Sequence, residues 1–512
     1  MTDKKNIIAV SLILVAAFAS SALVYWATTH GTGISIDSVV YIETALGVKM
    51  GQGFTQWGNP ATHFPPVYPA LIAFSNALQP GMVYPSTRLL HVALMGINTA
   101  LMGLALRASA RNSVWAVLVG LTLFLFSFPI LENHVMAWSE PPFLTFMLAG
   151  FCLLALYFRK GQLVVLALAA FAMGLAAVTR YIGATLIPPL LLTLWVLSKN
   201  PPRKKWGEVI TAGAAAITPL AIWGMYNTLR ASQATDRTFA VHLITSQHIY
   251  DFIRTMSNYI LPGILSFNQQ LVFLGLVCAL FGLGLFMLKQ KKAFTRARAA
   301  NLAIPLMALL FVVVYVPFLA VSISFFDNTT PVDSRILLPV YVALILAAVT
   351  LTRNVARATH KPIIALAFLA LLPASAFLNA RVASTKLGTM QKTGWGYGAT
   401  QWTDSPTYAA AHSITPGTKI YSNGFDHINF QMEAKRSAAL PLIYDGVTKK
   451  QNEGFDLEMR VMCDETVSGK AAVVFYNAIN DRPMFPDQKQ FTTGCPTARA
   501  SSYADGVIFA AK

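Results

Sequence analysis

Charge is scarce in this chain. Asp, Glu, Lys and Arg make up 12% of its 512 residues, apolar residues make up 55%, and mean hydropathy is +0.53. A soluble protein carries about twice that share of charge, so a wholly soluble chain is excluded. Cysteine is nearly missing, at four residues, and no paired CxxC occurs. No Walker loop, GxGxxG or HExxH is present either, so nothing signals ATP-driven or soluble-cofactor chemistry. Tandem repeats and low-complexity tracts are also lacking. Acids are rarer than bases, 22 against 39, which leaves a net charge of +17. Gathered in one patch, that excess would point to nucleic acid. Its distribution points elsewhere.

What the chain has in abundance is long apolar runs, enough to cross about 30 Å of hydrocarbon many times. Eleven spans are expected, near 7–26, 88–106, 113–131, 140–158, 162–179, 181–198, 209–227, 268–288, 302–321, 336–352 and 362–379. Lys4 and Lys5 precede the first. Alternation then puts Arg107, Arg111, Arg159, Lys160, Lys199, Arg203, Lys204, Lys205, Lys289, Lys291, Lys292, Arg296, Arg298, Arg353, Arg357 and Lys361 on one side. The positive-inside rule makes that side cytoplasmic. Nucleic acid is therefore not an expected partner; membrane lipid is. Asp37, Glu43, Glu132, Glu140, Asp236, Asp251, Asp327 and Asp333 fall on the opposite side or at outer helix ends. Chemistry is expected to face outward. The first apolar run is long for a signal peptide and ends at Tyr25 and Trp26, an interfacial belt, so a retained anchor is preferred.

The expected organisation is an α-helical polytopic membrane domain over 1–379, followed by a small α/β domain over 380–512. "KIYSN", "AAVVFYN" and "GVIFAA" read there as short buried strands. With an odd number of spans this domain lies outside. Cys463 and Cys495 are its only cysteines and form a disulfide candidate in an oxidising exterior.

The outer loop 27–87 is the most informative stretch. Val39, Ile42, Leu46 and Met50 make one apolar helical stripe, with Asp37 and Tyr41 on another face, as in an interfacial helix. "HFPPVYP" then stiffens the return to the membrane. Asp37 is thus held near the headgroup plane, as a general base or as a helix cap. Arginines at outer span ends, Arg180 and Arg335, run against the positive-inside trend and suit an anionic phosphate. Snorkelling to headgroups is their plainer role.

"IDSVVYIETALGVKMGQG" followed by "HFPPVYPALIAF" resembles the first outer loop of the GT-C superfamily of multi-spanning glycosyltransferases. "MAWSEPPFLTFML" resembles the second acidic position, here Glu140. "GLAAVTRYIGATLIPPLLL" resembles the Arg-aromatic helix start, here Arg180 and Tyr181. "VDSRILLPVYVALIL" resembles a later Asp-x-Arg approach to a span, here Asp333 and Arg335. Many members carry two adjacent acids in the first loop, whereas Ser38 follows Asp37. The resemblance covers most of residues 1–350, and protein O-mannosyltransferases and the aminoarabinose transferase are among its members. It implies an inverting transfer from a polyprenyl-phosphate-linked sugar donor to a lipid, glycan or protein acceptor, outside a bacterial-type inner membrane. Asp37 would be the base, with Glu140 beside it. Arg180, Tyr181, Arg335, His63 and Asp333 would line the carrier phosphate and sugar. A divalent metal ion, with Asp37, Glu140 and Glu132 as candidate ligands, is left open. The alternative is a transporter or flippase of lipid-linked sugars. It should show internal repeats and ionisable residues near span centres, and neither is evident.

Overall fold

Proline and glycine divide the apolar runs into helices. The chain is described from a computed structural model that covers residues 2–78, 83–110, 112–290, 299–327, 329–359, 363–432, 437–480 and 482–511. Of the cations invoked above, Arg111, Lys291, Lys292, Arg296, Arg298 and Lys361 lie outside the described residues, as do the side chains of Lys5, Lys289 and Arg357.

The helices of the membrane domain are α1 (Thr2–Ala27), α2 (Ile36–Lys49), α3 (Val67–Leu78), α4 (Val83–Ser109), α5 (Val114–Leu125), α6 (Phe128–Val135), α7 (Glu140–Lys160), α8 (Leu163–Ala177), α9 (Ile187–Leu197), α10 (Pro202–Ala231), α11 (Ser246–Asn258), α12 (Phe267–Gln290), α13 (Ala299–Phe325), α14 (Leu338–Thr359) and α15 (Ile363–Thr393). Each of the eleven expected spans coincides with a helix or helix pair. Among the described residues, six helices are long and apolar enough to cross a membrane alone, seven if α5 and α6 count as one broken span. Several of the others are short because prolines interrupt them. Pro129, near the start of α6, cannot continue the helix before it, and the chain turns by 61° between α5 and α6. Pro141 and Pro142 open α7, where missing N–H groups cost nothing, and left-handed Gly161 closes it. α7 packs on α4, α8 and α13, and these helices share one continuous apolar core.

α2 and α3 lie in the first outer loop. Val39 and Ile42 are buried as the stripe predicts, but so are Tyr41 and Ala45, because α2 is covered on two sides. Met50 lies past the end of α2 and is exposed.

α15 runs through residue 379, so the C-terminal domain is built from the residues after it. Its strands are β3 (Lys419–Ser422), β4 (Ser437–Ala439), β5 (Ala471–Tyr476), β6 (Arg499–Tyr503) and β7 (Gly506–Ala510); β1 (Thr55–Gln56) and β2 (Asn59–Pro60) form a hairpin in the first outer loop. The helices are α16 (Thr400–Thr403), α17 (Pro406–His412), α18 (Phe425–Met432), α19 (Phe455–Val467) and α20 (Gln488–Gly494). Sheet order is β4-β3-β5-β7-β6, with β4, β3 and β5 parallel and β7 antiparallel to both β5 and β6. β5 is buried at every position. Alternation splits it between two cores. Ala471, Val473 and Phe475 face α19 and Phe491, where Cys463 and Cys495 are joined in a disulfide with Cα atoms 5.5 Å apart. Ala472, Val474 and Tyr476 belong to a core that also contains Val39, Ile42, Tyr68 and Ile72 of the first outer loop. The C-terminal domain and the Asp37 helix therefore share one hydrophobic core.

Candidate active site

Four segments far apart in sequence meet at one group of charges. Asp37 stands in the first turn of α2. Ser35 caps that helix, exchanging hydrogen bonds with Ser38 in a reciprocal box. Glu140 is the first residue of α7. Both acids thus sit at helix N-termini, where the peptide dipole favours negative charge. Arg180 has extended backbone in the break between α8 and a short 3-10 turn over Tyr181–Leu186. Arg335 precedes α14. Its N–H donates to Asp333 Oδ1 at 3.0 Å, and so does that of Ile336, so Asp333 shapes the turn that presents Arg335.

Arg335 is the bridge. Its Nη1 donates to Asp37 Oδ2 at 2.5 Å and its Nε to Glu140 Oε1 at 2.5 Å. Arg180 also pairs with Glu140 Oε1. The Arg335 guanidinium lies 4.8 Å from the centre of the Trp138 ring, over its face, a favourable cation–π arrangement. Trp138 in turn donates to the Ser35 cap at 2.8 Å. Ser139 accepts from Arg180 at 3.2 Å and is hydrogen-bonded to the Tyr41 hydroxyl at 3.0 Å. Burial pushes the Tyr41 phenol up to about 12, so it stays protonated.

Exposure is graded across the group. The Glu140 side chain is 1% exposed, the two arginines 15% each and Asp37 33%. Glu140 is thus the interior counterion of two guanidinium groups, and Asp37 is the more solvent-accessible carboxylate. Two cations and two carboxylates balance. Glu140 and the two arginines alone carry one net positive charge, which suits an anion docking beside them. Burial moves the Arg335 pKa against the charged form, but Glu140 and Asp37 outweigh it and the guanidinium stays charged.

The other expected site residues stand apart. His63 faces Asp236 at 3.2 Å on an exposed surface. The Tyr181 hydroxyl donates to the Thr62 carbonyl at 3.2 Å and accepts from Trp223 at 2.9 Å, so it braces the first loop. Asp333 and Glu132 line a separate cavity of about 590 Å³ together with Asp251 and Arg254 of α11. Ser334 donates to Glu132 Oε2 at 3.4 Å. Burial raises the Asp333 carboxyl above its ordinary range despite its two backbone donors.

The three candidate metal ligands do not converge on one point. Glu140 Oε1 already receives two guanidinium groups, Asp37 is engaged by one of them, and Glu132 lies in the other cavity. Among the described residues, no three of His, Cys, Asp or Glu converge as metal ligands.

Trp138, Ser139 and Tyr41 were not anticipated as site residues. Trp138 and Ser139 immediately precede Glu140, Tyr41 follows Asp37 by one helical turn, and that adjacency is the signal that points to them.

Residues 62–272 match the family described as dolichyl-phosphate-mannose-protein mannosyltransferase. No curated protein matches the chain in sequence. Among solved structures, the fold is similar to that of ArnT from Cupriavidus metallidurans. With undecaprenyl phosphate bound, that structure gives 14% identity and a TM-score of 0.58 over 98% of this chain and 97% of the other. In the apo state the values are 14% and 0.59, over 97% of each chain. The family match, which runs from just before α3 to the first turns of α12, bears out the resemblance to the GT-C superfamily, and the likeness in fold extends over nearly the whole chain, C-terminal domain included.

Proposed function

We propose that this chain is a membrane glycosyltransferase that moves a sugar from a polyprenyl-phosphate carrier to an acceptor hydroxyl, with inversion, on the periplasmic side of a bacterial inner membrane. The observation that carries the reading is the Arg335 bridge between Asp37 and Glu140, with Arg180 on the same carboxylate. A base and two phosphate-binding cations stand together at the outer ends of apolar helices. Cation asymmetry between the two sides supports the orientation. The match to a mannosyltransferase family and the likeness to a fold solved with undecaprenyl phosphate support the donor class.

The reaction follows from the charges. The acceptor O–H gives its proton to the Asp37 carboxylate, and its oxygen forms the bond to the anomeric carbon. The bond from that carbon to the phosphate oxygen breaks, and its electron pair leaves with polyprenyl phosphate. A single displacement inverts the anomeric centre. As Asp37 takes the proton it becomes neutral, and Arg335 loses one of its two counter-charges. The leaving phosphate gains negative charge in the same step. Arg335 is thereby released toward the phosphate when that charge develops, which is the electrostatic condition for favouring a transition state over a ground state. Glu140 keeps both guanidinium groups aimed throughout.

Binding of polyprenyl phosphate to the purified protein in nanodiscs tests the phosphate site. Arg335→Lys keeps the charge but loses the planar fork. It should weaken binding about tenfold, the worth of one charge-assisted hydrogen bond at the low end. Arg180→Ala combined with Arg335→Ala should weaken it further. Unchanged affinity in a folded double variant would remove both arginines from the carrier site.

A further inference from the structure

We infer that Arg482, Asp426 and Tyr397 of the C-terminal domain are positioning residues for Asp37, acting through the backbone that leads into α2. This inference rests on reading Asp37 as the base.

Residues 33 and 34, just before the Ser35 cap, lie between two other segments. On one side Gly33 N–H donates to the Val135 carbonyl and Ala137 N–H to the Gly33 carbonyl, both at 2.9 Å. That contact ties the segment to the stretch that continues into Trp138, Ser139 and Glu140. On the other side Ile34 N–H donates to the Trp395 carbonyl at 3.2 Å, and Tyr397 N–H donates to the Ile34 carbonyl at 2.9 Å. The approach is so close that a Cβ on Gly396, at φ +62°, would fall 1.9 Å from the Ile34 carbonyl oxygen. Ile34 is three residues from Asp37. A small shift of residues 395–397 therefore moves the cap, the first turn of α2 and the carboxylate.

Residues 395–397 are held by the C-terminal domain itself. The Tyr397 hydroxyl donates to Asp426 Oδ2 at 2.9 Å and accepts from Arg482 Nη2 at 2.8 Å. Arg482 also grips Asp426 through both oxygens, at 3.0 and 2.8 Å, and the Asn423 carbonyl at 2.8 Å. Gln431 donates to the Tyr397 carbonyl at 2.8 Å. Asp426 is 2% exposed and the Arg482 side chain 11%. A two-pronged guanidinium–carboxylate pair fixes orientation as well as distance. Here it fixes the ring of Tyr397, hence its peptide, hence Ile34. Two ring contacts, Trp57 with Phe425 and Tyr84 with Phe430, hold α18 against the same loop. The domain so placed works as a clamp on the base.

The test uses the full-length protein in nanodiscs, with Tyr397→Phe, Arg482→Gln and Arg482→Lys, and Lys419→Gln as a control at an exposed ion pair. Hydrogen exchange is read in a peptide over residues 34–42 and in a second over β5, residues 471–476. In Tyr397→Phe and Arg482→Gln, exchange over 34–42 should quicken by roughly tenfold while β5 stays protected, as expected when one local unit loosens alone. Their kcat should fall by about tenfold to a hundredfold, the range that a misplaced group commonly costs, with KM for the donor within about twofold. Arg482→Lys should restore part of both, and the control should change neither. Tyr397→Phe removes one hydroxyl and is the safeguard should the arginine variants misfold. Unchanged exchange over 34–42 in a folded Tyr397→Phe variant would overturn the inference. So would a loss of kcat that only follows a loss of β5 protection, since these residues would then serve the domain's own fold. Absence of transfer by the wild type would refute the Asp37 reading and leave the exchange data to decide the clamp.

Discussion

Glu140→Gln should destabilise this protein far more than Asp37→Asn, although each removes one carboxylate from the same ionic group. The Glu140 side chain is 1% exposed and holds two guanidinium groups; Asp37 is 33% exposed and holds one. Breaking a buried pair by deleting one partner costs about 3–5 kcal/mol, because the other charge is left uncompensated. Glutamine still offers an oxygen to one arginine, which places the loss near the low end, about 3 kcal/mol. A partly exposed pair is worth about 0–1 kcal/mol, and Arg335 keeps Glu140 when Asp37 is neutralised. The assay is intrinsic-fluorescence melting of both variants in the same nanodiscs. Glu140→Gln should melt roughly 5 °C or more below the wild type, allowing for the size of the chain, and Asp37→Asn within about 2 °C of it. Equal losses in the two variants would refute the idea that Glu140 is the interior counterion and Asp37 the accessible carboxylate.

Other outcomes follow from the same structure. Ser413→Cys in the C-terminal domain should react with an impermeant maleimide in intact cells, and Lys160→Cys only after permeabilisation; the reverse pattern would invert the topology. Burial lowers the His427 pKa from 6.5 to about 4. The neutral form is therefore favoured in the folded domain, so stability is full above about pH 6.5 and is lost as pH falls toward about 4. Melting of the wild type and His427→Phe across that window should show a slope in the first and a flatter line in the second. Replacing both Cys463 and Cys495 by serine opens a loop of sequence separation 32 and should cost the C-terminal domain about 3–4 kcal/mol, measured by chemical unfolding monitored through β5 exchange.

Much of the candidate site is legible in the sequence because its residues sit where apolar runs begin or break. Asp37 and Glu140 open helices, Arg180 falls in a break, and Arg335 precedes a span. Partner choice was not legible. Arg335 meets Asp37 across 298 residues and Glu140 across 195, separations that no local pattern encodes. Near neighbours also diverge: the turn that aims Arg335 at Glu140 sends Asp333 to a different cavity, and Tyr181 leaves the ionic group that Arg180 joins. In the C-terminal domain the apolar strands β3, β5 and β7 were legible from their composition. β6, with the sequence RASSY and exposed throughout, has no apolar alternation to reveal it. β4 is only three residues long. The bond between Tyr397 and Ile34 is a backbone contact, and side-chain chemistry in a sequence gives no sign of it.

The most direct test is transfer itself. Membranes bearing the wild type or Asp37→Asn are supplied with a panel of radiolabelled polyprenyl-phosphate pentoses and hexoses, and label leaving the lipid-phosphate fraction is timed. Asparagine keeps the shape and can stand in a first helical turn, but it cannot accept the acceptor's proton. The variant should fold, bind polyprenyl phosphate, and transfer at a rate lower by about a hundredfold or more, within the range for loss of a general base. Transfer by Asp37→Asn at the wild-type rate would contradict the account, and so would a wild type that moves no sugar from any carrier in the panel.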